Sequence, residues 1–94
     1  MIKMTHEDEN EIKRLRKEID KCDDRIFDSL RTRCSLSYLI GLRKKNTNAP
    51  VVDNDRFNNM VDDKVNTYTT RFMDDIFIRK IYDVIHEHSC KIQQ

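Results

Sequence analysis

Residues 12–30 read IKRLRKEIDKCDDRIFDSL, and the spacing of their apolar positions decides the fold. Ile12, Leu15, Ile19, Cys22, Ile26 and Leu30 follow one another at intervals of three and four. That is the period of a helix with one apolar face and one wet face. No Pro interrupts the chain from Glu7 to Lys45, and Gly41 is the only Gly in that span. Cys34, Tyr38, Leu39 and Leu42 carry the apolar content onward, so a single helix is expected over residues 7–45. At about 1.5 Å per residue such a helix is about 57 Å long. A compact chain of this size has a radius of gyration of only about 13 Å. The helix therefore outruns a single-chain globule and is expected to cross a partner, most simply a second copy.

Composition agrees. The 94 residues suit one domain, 1–94, with 1–10 expected as a frayed tail. One Gly, one Pro and no Trp make a chain poor in turns and rich in helix formers, hence all-α. Apolar residues are 37%, low for a globule of this size, which again suggests burial against another chain. The net charge of +1 argues against a protein built to bind phosphate backbones, but leaves room for a local cationic pocket. The basic runs RLRK (14–17) and RKK (43–45) lack interleaved aromatics, so no nucleic-acid partner is expected. Cys22, Cys34 and Cys90 are odd in number and form no C-x-x-C, the pattern of reduced thiols in a cytosol. The start, MIKMTHEDENE, has no apolar core of a signal peptide, and no window approaches about 18 continuous apolar residues. A cytoplasmic protein away from membranes is expected.

The remainder divides into two shorter helices. NTNAP (46–50) is a linker of helix breakers, and Asp53 suits an N-cap. A second helix is expected from Asn54 to about Asn66, then an interruption at TYTT (67–70). A third is expected from about Arg71 to Ile92, with a buried stripe of Phe72, Ile76, Ile78, Ile81, Tyr82, Ile85, Ser89 and Ile92.

Several polar residues fall on faces that ought to be apolar. Arg33 and Lys44 are eleven residues apart, so they share a face of the long helix to within about 20°. Arg16 lies about 100° round from that face, so it joins the same site most simply from the other protomer. Ser89 and Gln93 are i and i+4 on the third helix, and Ser89 interrupts the apolar stripe with a hydroxyl. Each alone reads most simply as a solvated side chain. His86, His88 and Cys90 form H-x-H-x-C, but on a helix only 86 and 90 share a face, so no metal site and no cofactor is expected.

The ordering as a whole resembles the all-helical AroQ-class chorismate mutase family. The resemblance runs through LRKEID (15–20), Asp23–Ile26, Arg33, GLRK (41–44), Pro50-Val51, DNDR (53–56), EHS (87–89) and Gln93. It covers about 80 residues and implies an intertwined homodimer of three-helix chains with two shared active sites. It also implies roles. Arg16 would reach from the partner to one substrate carboxylate, and Arg33 would bind the other. Lys44 would contact a carboxylate and the ether oxygen, which Gln93 would approach from the opposite side. Ser89 would assist a carboxylate, while Asp53 and Arg56 would lie near the ring hydroxyl. The family reaction, chorismate to prephenate in aromatic amino acid biosynthesis by the shikimate pathway, is pericyclic. It needs no nucleophile, base or metal. Guanidinium forks suit its two carboxylates, holding them restricts the rotors, and Lys44 with Gln93 would stabilise charge that grows on the ether oxygen.

One residue departs from the pattern. Most such mutases carry Glu after the arginine of D-x-x-R, where it accepts a hydrogen bond from the ring hydroxyl; here the position is Phe57. Isochorismate pyruvate-lyases and aminodeoxychorismate mutases resemble the chain in having an apolar residue there. Arg33, Lys44 and Gln93 would serve any of these ether chemistries. With Asp53 as N-cap, Val52 is N′ and Phe57 is N4, the pair of a hydrophobic staple, so a packing role for Phe57 stands beside the ligand-facing one. A non-catalytic helical dimerisation module is the remaining reading, since it needs the long helix but not the three polar residues.

Overall fold

The computed structural model describes residues 3–94 and is all-helical, with three helices: α1 (His6–Thr47), α2 (Asn54–Tyr68) and α3 (Asp75–Gln93). Among the described residues the only extended pairing is an isolated bridge between Thr70 and Met73. The chain divides into two compact units, Met1–Arg33 and Cys34–Gln94, and the division falls inside α1. The tail expected over residues 1–10 overlaps α1, whose first residue is His6.

The N-terminal unit is the leading part of α1. Thr5 caps it, its hydroxyl oxygen accepting from the Asp8 amide at 3.1 Å. Glu7, Asp8 and Glu9 in the first turn oppose the positive end of the helix dipole. Pairs three residues apart follow along the surface: Glu11 with Arg14, Glu18 with Lys21, Asp28 with Arg31. The hydrogen bond from Arg14 holds the Glu11 carboxyl below its usual range. Such exposed pairs contribute little. Of the apolar residues at helical spacing, Leu15, Ile19 and Ile26 are exposed and Ile12 and Leu30 half-buried, and Phe27 beside them is exposed too.

In the C-terminal unit, α1 stops in a defined way. Asn48 takes a left-handed conformation, φ 56°, and the Ala49 amide donates to the Lys44 carbonyl at 3.1 Å. This is a Schellman-type stop, with Asn in place of the commoner Gly and Pro50 following. Asp53 then caps α2 as expected, accepting from the Arg56 amide at 3.1 Å.

The start of α3 corrects the sequence expectation. The helix begins at Asp75 rather than Arg71, because Asp74 is its N-cap and accepts from the Phe77 amide at 2.9 Å. Thr70–Met73 form the turn ahead of it. Phe72 therefore lies off the helix and is 89% exposed, and Ile76 and Ile81 are exposed too. The stripe that does pack is Ile78, Tyr82, Ile85, Ser89 and Ile92, with Ile78 and Ser89 buried and the others half-buried. α2 runs two residues past the expected Asn66, to Tyr68.

Contacts fix the helix directions within this unit. Ser37 meets Ser89 and Gly41 meets Gln93, so the end of α1 and the end of α3 run parallel. Phe57 meets His86 and Asp62 meets Arg79, so α2 runs antiparallel to α3. Val61 and Ile78 are the buried apolar side chains among the described residues. Leu36, Leu39 and Ile40 are exposed on the same stretch of α1.

Candidate active site

The centre of the site is Lys44, near the end of α1. Its Nζ donates to Gln93 Oε1 at 2.9 Å and to the Val51 carbonyl at 2.8 Å. Three pieces of backbone converge there. The Schellman stop at Asn48 turns the chain so that Val51 comes back beside the helix it has just left. The parallel run of α3 brings up Gln93. Lys44 is half-buried, so its ammonium is held in one place while part of it still meets solvent.

Gly41 makes this approach possible. A Cβ at that position would stand 2.7 Å from Gln93 Cα and 3.0 Å from Gln93 O, both backbone atoms. No side chain fits between the two helices at this level. The missing Cβ lets α3 close onto α1 one turn before Lys44, within reach of the Gln93 amide.

One turn back along both helices, Ser37 Oγ donates to Ser89 Oγ at 3.3 Å, and both residues are buried. Ser89 thus faces α1. An open cavity of about 380 Å³ lies over the Lys44 centre, lined by Gly41, Lys44, Asn48, Val51 and Gln93 among others. Its size suits a small molecule.

On the α2 side of this unit lies the position where the resemblance leads one to expect Glu. Phe57, half-buried on the first turn of α2, stacks on His86 of α3, with ring centroids 3.9 Å apart and planes 20° from parallel. Val52, the other member of the expected staple, is 47% exposed. Cys90 Sγ lies 3.7 Å from His86 Nε2. Among the described residues no three of His, Cys, Asp and Glu gather as a metal-ligand set. Asp53 and Arg56 are exposed at the α2 start, Asp53 engaged as the cap.

Of the residues singled out from the sequence, Lys44 and Gln93 are in direct contact, and Ser89 lies one turn away from Gln93 on α3. Arg16 and Arg33 belong to the N-terminal unit, where Arg16 is exposed and Arg33 half-buried. Sequence reasoning assigns no role to Val51, Ser37 or His86. A backbone carbonyl leaves no signal in sequence. The positions Tyr82, His86, Ser89 and Gln93, spaced four, three and four, do mark one face of α3.

Comparison with known proteins supplies the family. Residues 15–94 match the model of the family described as chorismate mutase type II. A 4-amino-4-deoxychorismate mutase of Streptomyces venezuelae is 30% identical over 87 residues, 92% of this chain and 84% of the relative. No solved structure matches the chain significantly. The matched span begins at Leu15 and runs through Lys44, Phe57, Ser89 and Gln93 to the last residue. The chain belongs to the type II chorismate mutase family and is an enzyme of that type.

Proposed function

We propose that the chain rearranges chorismate to prephenate, a step of aromatic amino acid biosynthesis. The observation that carries this is the contact of Lys44 Nζ with Gln93 Oε1 at 2.9 Å. An ammonium has three donors, and Val51 and Gln93 take two of them. The third, with the amide NH₂ of Gln93, forms a pair of donors for one substrate oxygen. In the rearrangement one C–O bond breaks and one C–C bond forms around a six-membered ring of atoms, and no proton moves. Negative charge grows on the ether oxygen. A positioned donor at such an atom is typically worth about 3–4 kcal/mol, or about 10²–10³ in rate.

The two carboxylates need cations as well. Arg33 takes one by its guanidinium fork, and Arg16 of a second copy takes the other. Ser89 assists a carboxylate, and Asp53 and Arg56 lie toward the ring. The uncovered apolar surface supports a dimer. Lys44 borders an apolar groove of about 450 Å³ on α1 with Leu36, Leu39 and Ile40, and a second chain would cover it.

A second reading rests on Phe57. It cannot accept a hydrogen bond from a ring hydroxyl, and the Streptomyces relative is named for a substrate with an amine there. The same donors would serve 4-amino-4-deoxychorismate. The deciding experiment assays the purified enzyme with chorismate, isochorismate and 4-amino-4-deoxychorismate and identifies each product. Prephenate from chorismate supports the first reading and its amino counterpart the second. Salicylate and pyruvate from isochorismate would replace both with a lyase, and no turnover of any of the three would overturn the enzymatic role.

A further inference from the structure

Lys44 is fastened twice by the turn that follows α1. Its carbonyl accepts from the Ala49 amide at 3.1 Å, and its Nζ donates to the Val51 carbonyl at 2.8 Å. From the first fastening point to the second the chain runs Ala49, Pro50, Val51. The proline ring fixes its own φ at about −65° and disfavours a helical conformation of Ala49. Little freedom is left in that step, so the place of the Val51 carbonyl follows from the residue before it. That residue is Asn48, with φ 56° in the left-handed region.

Both acceptors on Nζ are neutral oxygens, a peptide carbonyl and a side-chain amide. A carboxylate in either place would hold the ammonium as firmly but would offset its charge. A carbonyl holds it and leaves the positive charge for a substrate. With two of the three N–H donors taken, the direction of the third is set as well. Asn48, Lys44, Val51 and Gln93 line the same cavity of about 380 Å³, so the ammonium is oriented at the wall of the candidate site. Without the Val51 carbonyl, Nζ keeps Gln93 alone and the long side chain regains rotamers.

We propose that Asn48 is the positioning residue for Lys44: its left-handed backbone brings the Val51 carbonyl onto Nζ and so aims the donor offered to the ether oxygen. This rests on the reading of Lys44 given above. Asn and Gly take the left-handed region readily, Ala is hindered by its Cβ, and a β-branched residue is an outlier there. A strained residue at position 48 relieves itself by releasing the turn. Only the fraction of molecules still fastened then holds the ammonium in place.

The test compares wild type with Asn48→Gly, Asn48→Ala and Asn48→Val, and with Asn48→Val in a Lys44→Ala background, each full-length and checked for helix content and Tm. Kinetics are measured on chorismate. In parallel the Lys44 ammonium is followed by NMR in enzyme made with isotope-labelled lysine, without substrate, its signal assigned by its loss in Lys44→Ala. Asn48→Gly is expected to stay within about twofold of wild type in kcat. Asn48→Ala is expected to lose about fivefold and Asn48→Val about tenfold, the scale of the left-handed penalty, in kcat more than in KM. The Lys44 signal is expected to be sharp in wild type and Asn48→Gly, and to weaken through faster exchange with water in the other two. In the Lys44→Ala background Asn48→Val lowers kcat no further. Full kcat in Asn48→Val, an unchanged Lys44 signal, or an equal loss of kcat without Lys44 would each overturn the proposal. A loss in Asn48→Gly as large as in Asn48→Val would overturn it too, by placing the effect in the Asn side chain. Should Asn48→Val unfold, Asn48→Ala carries the same comparisons. A wild type that leaves chorismate unchanged would overturn the functional reading, and the NMR comparison would still decide whether Asn48 holds Lys44.

Discussion

Gly41 and Gln93 approach so closely that a single added Cβ would lie 2.7 Å from the Gln93 α-carbon. Gly41→Ala therefore sets two effects against each other. Alanine favours a helix interior by up to about 1 kcal/mol. Overpacking usually costs about 1–3 kcal/mol, and here the obstructing atoms are backbone, which cannot swing aside. The clash should win. The variant is expected to melt lower than wild type and to lose at least about tenfold in kcat/KM, since parting the helices draws Gln93 away from Lys44 and even a small misplacement is costly. A raised Tm with unchanged kinetics would show that the helices re-pack freely at this level.

Lys44→Ala removes the ammonium held directly against Gln93 and Val51. The loss in kcat/KM is expected to be at least about a hundredfold, because a methyl stub cannot meet growing negative charge. Helix content should hold, since alanine is a good helix residue. Steady-state assay alongside circular dichroism separates the two. Near wild-type turnover would remove Lys44 from the mechanism.

Much of this architecture is legible in the amino-acid sequence. The three-and-four spacing from Ile12 to Leu30 marks α1, and Asp53 marks the start of α2, because period and capping are local properties of the chain. The start of α3 is misread for a local reason too. Phe72 and Ile76 look like a continuation of the apolar stripe, whereas Asp74 is a better cap than anything nearer Arg71. Lys44 and Gln93 can be placed on helix faces, but their contact depends on Gly41 and on the reversal at Asn48, which are tertiary facts. His86 draws notice in the sequence only through H-x-H-x-C, whose spacing argues against a metal site. Its partner Phe57 is twenty-nine residues away, on an element whose direction spacing alone does not fix.

Asp53 and Asp74 are matched N-caps, each accepting from the amide three residues on. Either change to alanine should cost about 1 kcal/mol of stability. Only Asp53 belongs to the proposed substrate site. Asp74→Ala is expected to lower Tm and leave kcat/KM unchanged, while Asp53→Ala should lower Tm similarly and raise KM. Equal kinetics in both variants would confine Asp53 to capping.

Leu39 is 55% exposed beside Leu36 and Ile40, also exposed. If a second chain covers this groove, Leu39→Asp buries an unpaired carboxylate at the interface and should break the dimer. Sedimentation is expected to show wild type as a dimer and the variant as a monomer without measurable turnover. A fully active wild-type monomer would refute the sharing of Arg16 between chains.

Phe57→Glu installs the residue that the family resemblance leads one to expect after the D-x-x-R arginine. The stack on His86 shows where the new side chain would begin, on the first turn of α2 and facing α3. A carboxylate near that helix start is also favoured by the helix dipole, so the change should fold. It gives a ring hydroxyl the acceptor that Phe57 lacks, and a buried hydroxyl left unpaired costs about 1–3 kcal/mol. That corresponds to about 5–150-fold in affinity. Chorismate turnover is therefore expected to rise by at least about fivefold, mainly through KM. Two competing outcomes are distinguishable by the same titrations. Unchanged kinetics with a lowered Tm would mean that Phe57 packs against protein alone. A fall in chorismate turnover would mean that the carboxylate pairs with His86 and points away from the substrate.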